Sequence, residues 1–297
     1  MRVLTFLHSF EPGGVERIAL RLVRQWRALG VDAPLFLGRT DGDMRDDVGA
    51  SLDFKSPRQP LGISTARWET LWMILTLPWT VRRLKPDVLF CAGNTYAVVS
   101  VALKLVLGRN CPPILAKISN DLDRADKPGW RRAFYRAWLR IQGRCFDHVV
   151  GMENPMAAEI EQHLRIDPRA ISIIPDPALS EDLIQRLRAI AARAGSPTSG
   201  RHFVAVGRLC PQKNIPLMLR AFAAGSLEAD HLTIIGDGPE RGRLETLARR
   251  LGLEEKVAFR GYLSEPALLM PEFDILLLSS NYEGVPAVIL EALAARL

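Results

Sequence analysis

The sequence predicts an α/β protein built from two open parallel sheets. Short apolar runs bounded by Gly, Pro, Asn or Asp alternate with longer segments of helical periodicity, as is typical of strands buried on both faces. This alternation occurs twice, and a segment rich in Gly, Ser and Pro, residues 195–200, separates the two series. We therefore expect two Rossmann-like domains facing each other across a cleft, which would bind ligands at the carboxyl ends of the strands.

The first series supplies the predicted N-terminal domain, residues 1–178. Its strands are expected at residues 3–8, 33–38, 88–91, 114–118, 148–151 and 171–174. The intervening helices are expected at residues 15–29, 67–84, 96–107, 130–143 and 155–164. Asn154 and Pro155 support the start of the last of these helices, because Asn is a good N-cap and Pro suits the first helical position.

The second series supplies the predicted C-terminal domain, residues 201–297. A helix at 180–194 and the linker form a connecting segment, residues 179–200. Strands are expected at residues 203–206, 232–235, 257–259 and 274–278, and helices at residues 216–224, 240–251 and 286–295.

The amino-acid composition excludes several classes of protein. The 297 residues are 48% hydrophobic and 24% charged, which excludes a disordered chain. A net charge of +6 is small for a nucleic-acid binder. The four cysteines form no CxxC pair, so neither a zinc site nor a disulfide framework is indicated. We expect a cytoplasmic protein without metal or nucleic-acid ligands.

Two glycine-containing loops follow predicted strands of the second series. Arg208 in Gly207-Arg208-Leu209, together with Lys213, could clamp a diphosphate, although a glycine turn with two solvated cations explains the same residues. Gly236 and Gly238 could let the backbone approach a ligand or could serve a tight turn. Arg241 stands where a dinucleotide fingerprint has its third glycine, which disfavours an NAD-dependent oxidoreductase.

A third loop reads Glu283-Gly284-Val285-Pro286 and is followed by Glu291. Pro286 suits the first turn of a helix, and Glu291 lies inside that helix among apolar residues. A carboxylate in such a position needs a polar partner, and sugar hydroxyls would supply one. The alternative is one carboxylate at a helix N-terminus and one in solvent.

The joint order of these motifs resembles the family-4 retaining glycosyltransferases of the GT-B fold. The matching segments are G-R-L-x-x-x-K from Gly207, then G-D-G-P from Gly236, then E-G-x-P-x-x-x-x-E from Glu283. Pro12-Gly13-Gly14 resembles the first loop of that family, and Ile174-Pro175-Asp176 resembles its I-P-N strand end. The resemblance covers nearly the whole chain.

The resemblance implies a role for each matching residue. Arg208 and Lys213 would bind the donor diphosphate and stabilise the leaving group without a metal ion, while Glu283 would contact the transferred sugar and Glu291 the ribose. These three, Glu283, Arg208 and Lys213, are the expected catalytic residues. The remaining donor-binding residues would be Gly13, Gly14, Gly236, Gly238, Gly284 and Val285. The nucleotide-sugar is a substrate, so no cofactor is expected.

Two departures from the family pattern concern the acceptor side and the end of the chain. Many family members carry a histidine after the fourth or fifth strand, where this sequence has Asn120 and Asp121. The chain ends at Leu297, so the second domain is expected to be incomplete. A non-catalytic nucleotide-sugar-binding protein is therefore the alternative to an enzyme that glycosylates a lipid-linked or polysaccharide acceptor.

A basic and aromatic region predicts contact with an anionic membrane surface. Residues 61–148 hold fourteen Lys and Arg against six Asp and Glu. Trp72 and Trp79 share a helical arc in one segment, as Phe134 and Trp138 do in another, each beside arginines. The same aromatic residues could instead pack on the sheet.

Overall fold

The computed structural model describes residues 1–45, 52–58, 68–123, 128–175, 177, 179–192 and 200–297. The chain divides into two compact units, Met1–Pro175 and Asp176–Leu297. Each is an α/β unit with a parallel sheet, as the sequence predicts. The predicted linker at 195–200 lies almost entirely outside the described residues.

The first unit contains a seven-stranded parallel sheet in the order β3-β2-β1-β4-β5-β6-β7. The strands are β1 (Val3–Leu7), β2 (Leu35–Leu37), β3 (Phe54–Lys55), β4 (Val88–Cys91), β5 (Ile114–Lys117), β6 (His148–Gly151) and β7 (Ile171–Ile173). All five residues of β1 are buried because the strand lies inside the sheet. The edge strand β3 was not predicted, since two residues carry no readable periodicity.

Five helices connect these strands. They are α1 (Gly14–Ala28), α2 (Glu69–Leu84), α3 (Ala97–Leu107), α4 (Gly129–Cys145) and α5 (Asn154–Leu164). α2 packs against α3, α3 against α4, and α4 against α5, so four helices lie side by side. Met73, Leu77 and Val81 form the buried stripe of α2, at the i, i+4, i+8 spacing of one helix face.

The second unit has a four-stranded parallel sheet in the order β10-β9-β8-β11. Its strands are β8 (His202–Val206), β9 (His231–Ile235), β10 (Val257–Gly261) and β11 (Ile275–Leu276). Its helices are α6 (Glu181–Ala191), α7 (Ile215–Gly225), α8 (Arg241–Arg250) and α9 (Ala287–Ala295). One core lies between the sheet and helices α7 and α8, and a second core joins α6 and α9.

Helix α6, which the sequence places in a connecting segment, packs within the second unit. The Ser180 side chain accepts a hydrogen bond from the Leu183 backbone N–H and caps the helix. Leu183 and Leu187 are buried against α9. The helix therefore covers the apolar face of α9.

We predict that Leu187→Ala lowers the free energy of unfolding by about 2–5 kcal/mol, because it removes a fully buried side chain and leaves a cavity. Urea unfolding of the full chain measures the change. Leu227→Ala is the matched control, since Leu227 is 66% exposed. Equal losses from both substitutions would contradict the packing of α6 described above.

Candidate functional site

The carboxyl edge of the four-stranded sheet brings the predicted glycine loops into contact. Gly207 follows β8, and its N–H donates to the Ile235 carbonyl at the end of β9. A Cβ on Gly236 would lie 2.0 Å from the Gly207 carbonyl oxygen, and one on Gly238 would lie 2.5 Å from that of Leu209. No side chain fits at either distance. The two loops therefore pack backbone against backbone, which gives both glycines a structural role beside the predicted ligand-binding one.

Lys213 and Glu283 meet at this edge, although 70 residues separate them in sequence. The Lys213 Nζ lies 2.5 Å from the Glu283 Oε1, and each side chain is 19% exposed. The sequence predicted both residues as donor ligands but did not predict the ion pair. An ammonium and a carboxylate this close, largely withdrawn from water, compensate each other's charge.

Hydrogen bonds join the loop that carries Lys213 to the loop that carries Glu283. The Gln212 side-chain amide donates to the Tyr282 carbonyl at 3.1 Å, and the Asn281 N–H donates to the Gln212 carbonyl at 2.8 Å. The Ser279 hydroxyl donates to the Lys213 carbonyl at 2.9 Å. The sequence analysis missed Gln212, Ser279 and Asn281; the only available signal was that these polar residues flank the two charged ones.

The other predicted residues of the second unit differ in exposure. Arg208 is exposed, and none of the ion pairs within the described part of the chain involves it. Gly284 and Val285 are half-buried in the loop before α9, where Pro286 is the N-cap rather than a first-turn residue. Glu291 is 5% exposed inside α9. An exposed guanidinium on the same loop as a paired ammonium is suited to binding a diphosphate.

The predicted residues of the first unit lie at the carboxyl ends of its strands. Gly13 is the N-cap of α1, and Gly14 is its first residue. A Cβ on Gly13 would lie 1.9 Å from the Glu16 Oε2, so the Glu16 carboxylate folds over the helix N-terminus. Because the N-terminus of a helix attracts anions, the Glu16 carboxylate occupies a place that a phosphate could otherwise take.

Asn120 and Asp121 follow β5, half-buried and exposed respectively. The backbone N–H of the neighbouring Ser119 donates to the Asn94 Oδ1 at 3.1 Å, which ties the loops after β4 and β5 together. The predicted acceptor-side residues thus lie at the carboxyl edge of the first sheet, where ligands of parallel sheets bind.

A polar cluster that the sequence analysis did not identify lies at the end of β1. The Arg39 guanidinium, 5% exposed, pairs with Glu11, Asp41 and Glu69 at 2.8, 3.2 and 3.7 Å. Burial, opposed by Arg39, raises the pKa of Glu69 to about 7. Burial likewise lowers the pKa of His8 to about 4, so this imidazole is neutral at physiological pH.

Tyr96 belongs to the same cluster and contacts both Glu16 and His8. Its hydroxyl donates to the Glu16 Oε1 at 2.6 Å, and its ring stacks on the His8 ring with centroids 4.7 Å apart. The Thr70 hydroxyl lies 3.2 Å from the His8 Nε2. The first turns of α1 and α2 therefore both contribute to one polar centre at the carboxyl edge of the seven-stranded sheet.

We predict that Glu69→Gln changes the pH dependence of stability. A carboxyl whose pKa is raised by folding stabilises the folded state below the unfolded pKa of 4.5, and this stability is lost as pH rises through about 7. The difference in unfolding free energy between variant and wild type should therefore shift in favour of the variant, by about 1–2 kcal/mol between pH 4.5 and 8 after solvent screening.

Urea unfolding at several pH values measures this difference. Glu254→Gln, at an exposed position, is the matched control for loss of one carboxylate. Parallel pH curves for wild type and Glu69→Gln would contradict the prediction.

The described residues contain no group of three or more His, Cys, Asp or Glu arranged to hold a metal ion. None of their helices is long and apolar enough to cross a bilayer.

Comparison with known families and proteins agrees with the two units. The family model described as Glycosyltransferase Family 4 matches residues 12–177, and that described as Glycosyl transferases group 1 matches residues 188–297. The chain is 22% identical over 305 residues to the lipopolysaccharide core biosynthesis glycosyltransferase LpsE of Rhizobium meliloti, covering 98% of this chain and 76% of that protein.

A second relative is a Campylobacter jejuni N-acetylgalactosaminyltransferase named for a diphospho-undecaprenol substrate. It is 31% identical over 138 residues, which is 46% of this chain and 36% of that protein.

Solved structures share the fold. WaaG, a glycosyltransferase involved in lipopolysaccharide biosynthesis, aligns with a TM-score of 0.72 at 19% identity over 99% of this chain and 79% of that one. HepE of Anabaena in complex with UDP-glucose aligns with a TM-score of 0.71 at 19% identity over 99% and 78%. These matches confirm the predicted GT-B class, and the chain is a glycosyltransferase that belongs to glycosyltransferase family 4.

Proposed function

We propose that this protein transfers a sugar, with retained anomeric configuration, from a nucleotide-sugar to a lipid-linked or polysaccharide acceptor on the cytoplasmic side of a membrane. The observation that carries the donor half of this proposal is the contact between Lys213 and Glu283 at the sheet edge where the loop with Arg208 also lies. Two cations suit a diphosphate, and a carboxylate suits the hydroxyls of the sugar attached to it.

The proposed mechanism uses the charge of these side chains. Arg208 and Lys213 would stabilise the negative charge that develops on the leaving diphosphate, so that the reaction needs no metal ion. Glu283 would hold the transferred sugar, and Glu291, on the helix that follows, would bind the ribose. The acceptor would bind at the carboxyl edge of the first sheet, near Asn120 and Asp121.

The relatives support the choice of donor and acceptor classes. HepE structures contain UDP or UDP-glucose, and the Campylobacter jejuni relative is named for an undecaprenol-linked substrate. An Escherichia coli relative, 28% identical over 171 residues, is named as a galactosyltransferase that uses UDP-Gal and a diphosphoundecaprenol-linked sugar. UDP is therefore the first nucleotide to test, and lipopolysaccharide or another polysaccharide is the proposed product.

We predict that Arg208→Ala and Lys213→Ala each weaken UDP binding by about 1.5–3 kcal/mol, because each removes a charge-assisted contact with the diphosphate. Isothermal titration calorimetry in the presence of EDTA measures the affinity and tests metal independence together. Arg250→Ala, at the end of α8 on the opposite edge of the sheet, is the matched control. Unchanged affinity in both variants would remove the diphosphate assignment.

The proposed acceptor class agrees with a basic and apolar surface on the first unit. We name the three neighbouring helices α2, α3 and α4 the α2–α4 surface. Their only acidic residue is Glu69. The large apolar side chains exposed on it are Leu71, Leu75, Trp79, Val98, Leu105, Val106, Trp130, Phe134 and Ile141. Exposed basic residues stand among them, notably Arg83, Arg131 and Arg140.

The aromatic residues of the two predicted stripes differ in exposure. Trp79, Trp130 and Phe134 are 65%, 63% and 73% exposed, whereas Trp72 and Trp138 are partly buried. Arg132 is engaged with Asp123 at 2.5 Å. Exposed aromatic side chains beside exposed arginines suit the interface of an anionic bilayer, and we propose peripheral membrane contact there.

We predict that the protein sediments with phosphatidylglycerol-containing vesicles and is released by salt, since each Lys or Arg near such a surface contributes about 1 kcal/mol that ions screen. The double variant Arg131→Glu/Arg140→Glu should lose binding and keep its fold by circular dichroism. Arg243→Glu, exposed on α8, controls for charge reversal. Equal binding to neutral and anionic vesicles would contradict the proposal.

A further inference from the structure

The ion pair between Lys213 and Glu283 has a consequence for which nucleotides the protein retains. Both side chains are proposed to bind the donor, yet in the structure they contact each other at 2.5 Å. A diphosphate that binds Lys213 must therefore displace a carboxylate that is already there. Each is an anion, and both use the same ammonium group.

The position of the pair is set by the two loops and not by flexible side chains alone. The Asn281 side chain donates to the Pro211 carbonyl at 3.0 Å and accepts from the Asn214 side chain at 3.1 Å. Together with the hydrogen bonds from Gln212 and Ser279, these contacts hold the loop after β11 against the loop after β8. Because these contacts already hold the two backbones together, the ion pair forms without ordering either loop, and it competes effectively with an added anion.

A nucleotide-sugar and a nucleoside diphosphate differ in what they offer Glu283. The hydroxyls of a bound sugar can donate hydrogen bonds to the carboxylate and replace its contact with Lys213. A nucleoside diphosphate lacks this sugar, and its ribose hydroxyls are proposed to bind Glu291. It would therefore leave Glu283 partly buried, without its ammonium partner and close to a second anion. Displacing Glu283 from Lys213 therefore costs binding free energy for the nucleoside diphosphate but not for the nucleotide-sugar.

We propose that Glu283 is a specificity-determining residue that competes with the diphosphate for Lys213 and so selects against the nucleoside diphosphate product. The inference rests on the proposed donor site and extends it to product release. When the sugar leaves, Glu283 regains Lys213 and the nucleoside diphosphate loses a cation.

Calorimetry with UDP tests the competition directly. Glu283→Gln keeps the shape of the side chain but removes its charge, so we expect UDP to bind about three- to tenfold more tightly than to the wild type. The preference for UDP-glucose over UDP should fall in the same variant. Glu272→Gln, exposed and just before β11, is the control for the change in net charge.

A double-variant comparison separates the pair from general electrostatics. In a Lys213→Met background, Glu283→Gln should no longer improve UDP binding, because the ammonium for which it competes is absent. Unchanged or weaker UDP binding by Glu283→Gln, or a gain that persists without Lys213, would overturn this inference alone. Failure of both wild type and Glu283→Gln to bind UDP would overturn the proposed donor site itself.

Discussion

The position of β8 inside the second sheet is the constraint on which the proposed donor site depends. β8 pairs in parallel with β9 on one side and with β11 on the other. The loops that follow all three strands must therefore leave the sheet at the same edge. Gly236 approaches Gly207 so closely that a side chain at Gly236 is excluded, and the Glu283 loop lies against the Lys213 loop. The loops of three segments that are distant in sequence therefore lie together at the carboxyl edge of this sheet.

Charge compensation differs between the two carboxyl edges. In the second unit, Lys213 has one carboxylate partner and Arg208 is exposed, so the edge can accept a further anion. In the first unit, the buried Arg39 is surrounded by three carboxylates, and the Glu16 carboxylate covers the N-terminus of α1. An anionic ligand is better matched to the second edge, whereas hydroxyl groups can bind at either.

Helix α2 shows how one apolar helix can serve two surfaces. Met73, Leu77 and Val81 face the core, while Leu71, Leu75 and Trp79 repeat the same spacing on the exposed side. Burial of the first stripe fixes the rotation of the helix, so the second stripe cannot also reach the sheet. The exposed stripe then lies beside the arginines of the α2–α4 surface, and the folding of the domain does not account for it.

The sequence alone determined the α/β class, nearly all the strands and helices, and the loops that carry the proposed donor residues, because each of these depends on local periodicity or on a short motif. The tertiary structure decided the rest. Strand β3 exists because β2 offers an edge for pairing, and α6 joins the second unit because Leu187 is buried against α9. The Lys213–Glu283 pair joins residues 70 positions apart, and only the strand order of the sheet brings them together. Spacing along a chain predicts which residues share an element, whereas contacts between elements depend on how the whole chain packs.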